Sequence, residues 1–165
     1  MSATPRLLLP FIIPGQAQKE LFHNEALQLL DVVVSAAVEG LPLSTPPGSP
    51  AVGSCYIVGA SPTGAWVGEA DRLAAFTSGG WRFVAPIDGL SALVRSSGSI
   101  AVYRNGAWEV GTVRGSEVQV DGIKVLGARQ AAIPTPAGGS SVDAEARAAI
   151  EAILTALRSH GLILS

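Results

Sequence analysis

Pro14-Gly15-Gln16-Ala17-Gln18-Lys19-Glu20 runs into Leu21-Phe22-His23-Asn24-Glu25-Ala26-Leu27-Gln28-Leu29-Leu30-Asp31 and then into Val32 to Val38. The spacing predicts one helix of about six turns at roughly 3.6 residues each. Pro14 and Gly15 set its start, and Gly40 with Pro42 ends it. Ala17, Leu21, Phe22, Leu27, Leu30, Val34, Ala37 and Val38 recur near helical spacing and form a broad apolar stripe. Lys19, Glu20, His23, Gln28 and Asp31 fall on the opposite face. Gln16, Gln18, His23 and Asn24 gather amide and imidazole groups just inside the helix start. There they can satisfy free backbone groups or bridge to a neighbouring subunit.

Working outward, Leu7-Leu8-Leu9-Pro10-Phe11-Ile12-Ile13 precedes the helix. The run is too short to span a bilayer. Pro10 and Pro14 interrupt it and only Arg6 precedes it, which does not suit a secretion signal. An extended arm packed on a core or on a neighbouring subunit fits better. On the other side, Leu41 to Gly53 contains Pro42, Pro46, Pro47 and Pro50, too dense for a helix interior or a central strand. It reads as a stiff linker, so residues 1–40 form an assembly segment and 41–53 a boundary.

From Ser54 the period changes to that of strands. Cys55 to Val58, Ala65 to Val67, Arg72 to Phe76, Trp81 to Val84, Leu90 to Val94, Ile100 to Tyr103 and Ala107 to Val110 are short runs of strand formers. Gly-rich turns separate them, and Asn105-Gly106 is the strongest hairpin signal among these. Residues 54–110 therefore read as one compact antiparallel lobe. Within 111–133, Glu117 to Val120 and Ile123 to Leu126 flank Asp121-Gly122, predicting a second hairpin with a type I′ turn. A linker rich in Pro and Gly opens 134–165 and leads to a helix from about Asp143 to His160, capped by Asp143 and stopped at Gly161. Its apolar stripe includes Ala146, Ala149, Ile150, Ile153 and Leu157, a spacing that suits a parallel helix bundle or packing on the chain's own core. The fold class expected is α+β: a long amino-terminal helix, a small antiparallel β lobe, an extra hairpin and a carboxy-terminal helix.

Bulk composition narrows the function. A 48% hydrophobic content with 15% charged residues excludes a disordered tail. So low a charge on a short chain also suggests that partners hide part of its apolar surface. The net charge of -2, without a basic run, gives no electrostatic case for nucleic acid. Cys55 is the sole cysteine, so there is no intrachain disulfide and no thiolate metal cage, and a small buried hydrophobe is its expected role.

No catalytic, cofactor or metal site is legible in the sequence. His23 and His160 lie far apart in sequence and no His-x-x-x-His or Cys-x-x-Cys occurs. Gly59 to Gly64 has the outer glycines of a phosphate loop, but Ala65-Trp66 stands where Lys-Ser/Thr is needed. No Gly-x-Ser-x-Gly surrounds a serine, and no sequence signal sets a His beside Cys55. Glu69, Asp71 and Asp88 could in principle pair for glycoside hydrolysis, but they read as turn and surface carboxylates. Trp66, Trp81, Tyr103 and Trp108 allow two readings: alternating strand positions drop them into the core, or they form a stacking platform for sugar rings.

The opening pattern P-G-Q-A-Q-K-E-x-x-x-N-E-A-L-x-L-L-D resembles the signature of a domain family of unknown function. That family is met in bacteriophages, prophages and the phage-like gene transfer agents of alphaproteobacteria, often in tail-fibre or head-spike components. The likeness continues through Cys55-Tyr56-Ile57-Val58, Gly64 to Gly68, Gly79 to Phe83, Val125 to Ile133 and His160 to Ile163. It implies a structural virion part instead of an enzyme, made in the bacterial cytoplasm and built into a particle. The expected partners are further copies of the chain, as a trimer or pentamer, and other virion proteins at a capsid vertex or a fibre or spike shaft. Neither nucleic acid nor membrane is expected as a partner. Leu9, Phe11, Ile13, Gln16, Gln18, His23, Asn24 and Leu27 are the expected docking residues. A carbohydrate-binding module contacting host-surface polysaccharide through the Trp residues is the second reading.

Overall fold

In the computed structural model, which describes residues 3–12, 19–140 and 143–164, the first helix (α1, Lys19–Val33) has 15 residues. The described helix ends at Val33, short of the expected six turns, and the expected start at Pro14 to Gln18 lies outside the described residues. Ala37–Val38, placed by the sequence period on the helix, is instead a strand (β1). Two causes act together. Val32, Val33 and Val34 are β-branched and lose side-chain freedom in a helix. Arg6 then takes up carbonyls at the helix end: Nη1 donates to the carbonyls of Asp31 at 3.0 Å and Val32 at 3.1 Å, and Nη2 donates to that of Ser35. The long-helix α+β layout is therefore corrected. The chain is mostly β, in small lobes, with two α-helices among the described residues.

The remaining strands are β2 (Cys55–Ile57), β3 (Leu73–Thr77), β4 (Gly80–Val84), β5 (Ser91–Val94), β6 (Ser99–Arg104) and β7 (Ala107–Val110), then β8 (Val118–Val120) and β9 (Ile123–Leu126). A second helix, α2, spans Ala144–Ser159. The chain divides into two compact units, Met1–Thr112 and Val113–Ser165.

In the first unit the expected single antiparallel lobe is two sheets. One has the order β2-β3-β4 and is antiparallel. The other has the order β1-β5-β6-β7, with β1 parallel to β5 in the register Ala37 to Leu93 and Val38 to Val94. Strand alternation explains the core. Cys55, Ile57, Leu73 and Ala75 turn one face of the first sheet into a cluster shared with Val38, Ala92, Val94 and Ala101 of the second and with Val32 of α1. The other face of the first sheet carries Tyr56, Ala74, Trp81 and Phe83, packed with Val58 and Trp66. Asn105-Gly106 joins β6 to β7 with both residues at positive φ, 49° and 82°, as a type I′ hairpin requires.

Two local expectations change. Ala65–Val67 is not a strand: Gly64–Trp66 is a 3₁₀ turn, closed by the Trp66 amide donating to the Thr63 carbonyl at 3.1 Å. The proline-dense 41–53 is not a free linker, because it belongs to the first unit and its start is hydrogen-bonded to a sheet edge. The Leu43 amide donates to the Ile57 carbonyl at 3.0 Å, the Gly59 amide to the Leu43 carbonyl at 2.7 Å, and the Thr63 amide to the Ser44 carbonyl at 2.8 Å. An edge position tolerates neighbouring prolines because only one side of the segment must supply ladder bonds.

The second unit follows its sequence signals closely. β8 and β9 pair antiparallel around Asp121 and Gly122, whose φ values of 50° and 75° are those of a type I′ turn. Asp143 caps α2, its Oδ1 accepting from the Ala146 amide at 2.8 Å, and Gly161 at φ 68° follows the helix end.

Candidate functional site

The most constructed part of the first unit is the latch between the amino-terminal arm and α1. Asp31 lies in the apolar run Leu29 to Val34, and its side chain is not on a solvated face as the helical period suggests. It is 1% exposed. Its carboxylate accepts from Thr4 Oγ1 at 2.8 Å, from the Arg6 amide at 3.0 Å and from the Leu7 amide at 2.5 Å. Thr4, itself buried, closes the arm into a loop: its amide donates to the Leu9 carbonyl at 2.9 Å and its hydroxyl accepts from the Leu9 amide at 3.0 Å. Nearly two turns earlier on α1, Asn24 reads the arm's backbone in both directions. Its Oδ1 accepts from the Ile12 amide at 2.9 Å and its Nδ2 donates to the Ile12 carbonyl at 3.2 Å. Glu25 ties the helix to β4 through Arg82 at 3.0 Å. Both of these side chains are partly solvated, so the pair is worth about 1 kcal/mol at most.

Large apolar side chains stay exposed on both of the latched elements. Leu8 sits at the tip of the arm with φ 55°, a left-handed conformation that costs a bulky L-residue, and its side chain is 72% exposed. On α1, Phe22 is 74% exposed, and Leu21 and Leu30 are also exposed. Of the expected docking residues, Leu9, Phe11 and Leu27 are half-buried, His23 is exposed, and Asn24 is engaged with Ile12. Ile13, Gln16 and Gln18 lie outside the described residues. The sequence reading missed Thr4, Arg6 and Asp31. The available signal was a carboxylate within an apolar run, which demands a buried partner.

The four candidate sugar-stacking residues are split. Trp66 is 0% exposed, with its ring centroid 5.1 Å from that of Trp81 and 5.8 Å from that of Tyr56. Trp81 is half-buried, edge-on to Phe76 across β3 and β4 at 4.9 Å. Trp108 and Tyr103 are half-buried on the other sheet, 5.5 Å apart, and Trp108 Nε1 donates to the Asp71 carbonyl at 2.7 Å. Trp66 thus offers no face to a ligand, and the four rings do not form one platform. Of the carboxylates, Glu69 pairs with Arg72 at 3.0 Å, Asp71 is half-buried in a turn at φ 62°, and Asp88 is exposed.

Cys55, on β2, is buried in the cluster shared by the two sheets, with Arg6 Nη1 of the arm 4.0 Å from Sγ. Burial pushes its thiol above the ordinary value, and the Arg6 charge offsets part of that effect. Alkylation of Cys55 is therefore expected to be negligible in the folded chain over a time that fully labels the denaturant-unfolded chain, as mass spectrometry would read. Rapid labelling without denaturant would contradict this placement. The fold keeps the thiol protonated to a higher pH than the unfolded chain does. This group's contribution is thus complete at neutral pH and is lost as pH rises into the alkaline range.

Among the described residues no three His, Cys, Asp or Glu side chains gather as a metal site. No described helix is long and apolar enough to cross a membrane. A family model described as a protein of unknown function matches residues 23–109, more than half of the chain. No curated protein matches it.

Proposed function

We propose that this chain, which belongs to the DUF2793 family of proteins of unknown function, is a non-catalytic structural component of a phage-like particle or gene transfer agent, an oligomeric base or adaptor of a head spike or tail fibre. The observation that carries this reading is the latch. Asn24, Glu25 and Asp31, all within the opening pattern that carries the resemblance, are spent on fixing the arm and the helix, which present Leu8 and Phe22 to solvent. A buried carboxylate with three donors, placed to hold a strained turn around an exposed leucine, fits a preorganised docking surface. Exposed side chains of this size are common anchors of interfaces.

Particles purified from a producing culture of the encoding strain should carry the chain through a density gradient and show it at a spike or fibre in a reconstruction. Leu8→Asp combined with Phe22→Asp should leave the fold intact and remove the chain from the particles. Recovery of the wild-type chain only in the particle-free fraction would sink the proposal.

A further inference from the structure

We infer that the C-terminal unit, Val113–Ser165, is completed by other copies of the same chain, which supply the missing part of its core. Among the unit's described residues only Leu154 and Ile163 are buried hydrophobics. Polar clamps hold much of the rest. Arg158 Nη2 donates to the Ile133 carbonyl at 2.7 Å, Arg129 Nε to the Ile163 carbonyl at 3.0 Å, and Arg147 Nη1 to the Pro136 carbonyl at 3.2 Å. Such bonds fix a shape, but each replaces a bond to water and adds little net stability.

The apolar residues are patterned as though covered, yet they are open. In the hairpin Val120 pairs with Ile123 on one face, and Gln119 pairs with Lys124 on the other. Alternation of this kind belongs to a sheet with one face buried. Every residue of both strands is nevertheless exposed, Ile123 by 70%, and a bare two-stranded ribbon is marginal in water. α2 repeats the pattern. Leu154 is buried, while Ile150 and Ile153 are exposed, the latter by 59%.

Three features select a copy of this chain as the cover. Residues 113–165 carry five basic and five acidic side chains, so identical units meet without net repulsion. Ala146, Ile150, Ile153 and Leu157 follow the spacing of a seam by which identical helices pack about a common axis, and isoleucine at both adjacent seam positions favours three strands over two. Eleven large apolar side chains of the unit are exposed among its described residues, a supply from which an interface needing ~800 Å² per partner can draw. The inference rests on the assembly role above insofar as both need an oligomer. It assigns self-contact to this unit and leaves Leu8 and Phe22 to a different protein.

Light scattering of the purified full chain at micromolar concentration should give a multiple of 16.8 kDa, with three copies expected. Ile150→Asp with Ile153→Asp should bring the mass down to one chain while circular dichroism retains the helix. Should that variant unfold the unit, Ile153→Cys still decides: oxidation should link two copies, and Thr155→Cys, on the opposite side of α2, should not. A one-chain mass for the wild type overturns the inference, as does an oligomer indifferent to both aspartates. An oligomer that survives them but is lost in the Leu8→Asp and Phe22→Asp variant overturns it too, while leaving the particle role standing. Absence from particles with self-association intact does the reverse.

Discussion

Asp31→Ala is expected to lower the stability of the first unit by about 3–5 kcal/mol, since it leaves one buried hydroxyl and two amides of the arm without their charged acceptor. For a unit of this length that corresponds to a fall in melting temperature of roughly 10 °C or more. The loss should also be local before it is global. With the carboxylate gone, only the Arg6 bonds to the helix-end carbonyls and the Asn24 bonds to Ile12 hold the arm against the strain at Leu8, so it should loosen and become more readily cleaved by protease while the two sheets persist. Asp31→Asn is the sharper variant, because it keeps the shape and one acceptor but turns a donor toward the Arg6 amide or the Thr4 and Leu7 donors. It should fall between wild type and alanine. A Thr4→Ala and Asp31→Ala double-mutant cycle should show coupling, the two side chains being 2.8 Å apart. A melting temperature within about 2 °C of wild type for Asp31→Ala, with the arm still protected, would remove the latch as a structural device.

What was legible in the sequence was local. Asn105-Gly106 and Asp121-Gly122 announce their turns because a type I′ hairpin needs two positive φ angles in succession, and few dipeptides supply them. Asp143 and Gly161 bracket α2 for equally short-range reasons. The first helix was misread because its end is decided at a distance. Arg6, some 25 residues away in sequence, takes the carbonyls at the helix end, and Val38 gains more by filling the space between the two sheets than by a further helical turn. Periodicity cannot see a strand of two residues that pairs in parallel with β5, more than 50 positions on. The same blindness put Asp31 on the solvent side. Helical spacing gives relative directions, but which direction is inside depends on what the arm brings. For the candidate site, the residue types of the signature were visible, but their job was not, since Asn24 and Asp31 act on backbone groups of the arm that carry no sequence identity. The aromatic residues were ambiguous for a related reason. Trp66 looks like a strand position from its neighbours, and only the 3₁₀ turn at Gly64 directs it inward over Ala74.

Trp66→Ala is the substitution that separates a packing role from a ligand-stacking role most cleanly. Trp66 is fully buried among Tyr56, Trp81 and Ala74, so truncation should cost about 3–5 kcal/mol by lost burial and the cavity left behind. Trp66→Phe should be far milder, below about 1.5 kcal/mol, because the indole Nε1 is buried with no hydrogen-bond partner among the described residues and its removal orphans nothing. Trp108 gives the opposite pattern. Its half-exposed ring adds less burial, but its Nε1 donates to the Asp71 carbonyl between the two sheets, so Trp108→Phe should cost about 1–2 kcal/mol through that bond alone. A large gap between Trp66→Ala and Trp66→Phe, read by denaturant unfolding, marks an indole that serves the fold by its packing. A stacking role for Trp66 would instead predict that Trp66→Ala leaves stability near that of wild type and abolishes a sugar-induced change in fluorescence. With the ring sealed from solvent, titration of polysaccharide should leave the blue-shifted Trp66 emission where it is, and the carbohydrate reading would then rest on the half-buried Trp81, Tyr103 and Trp108.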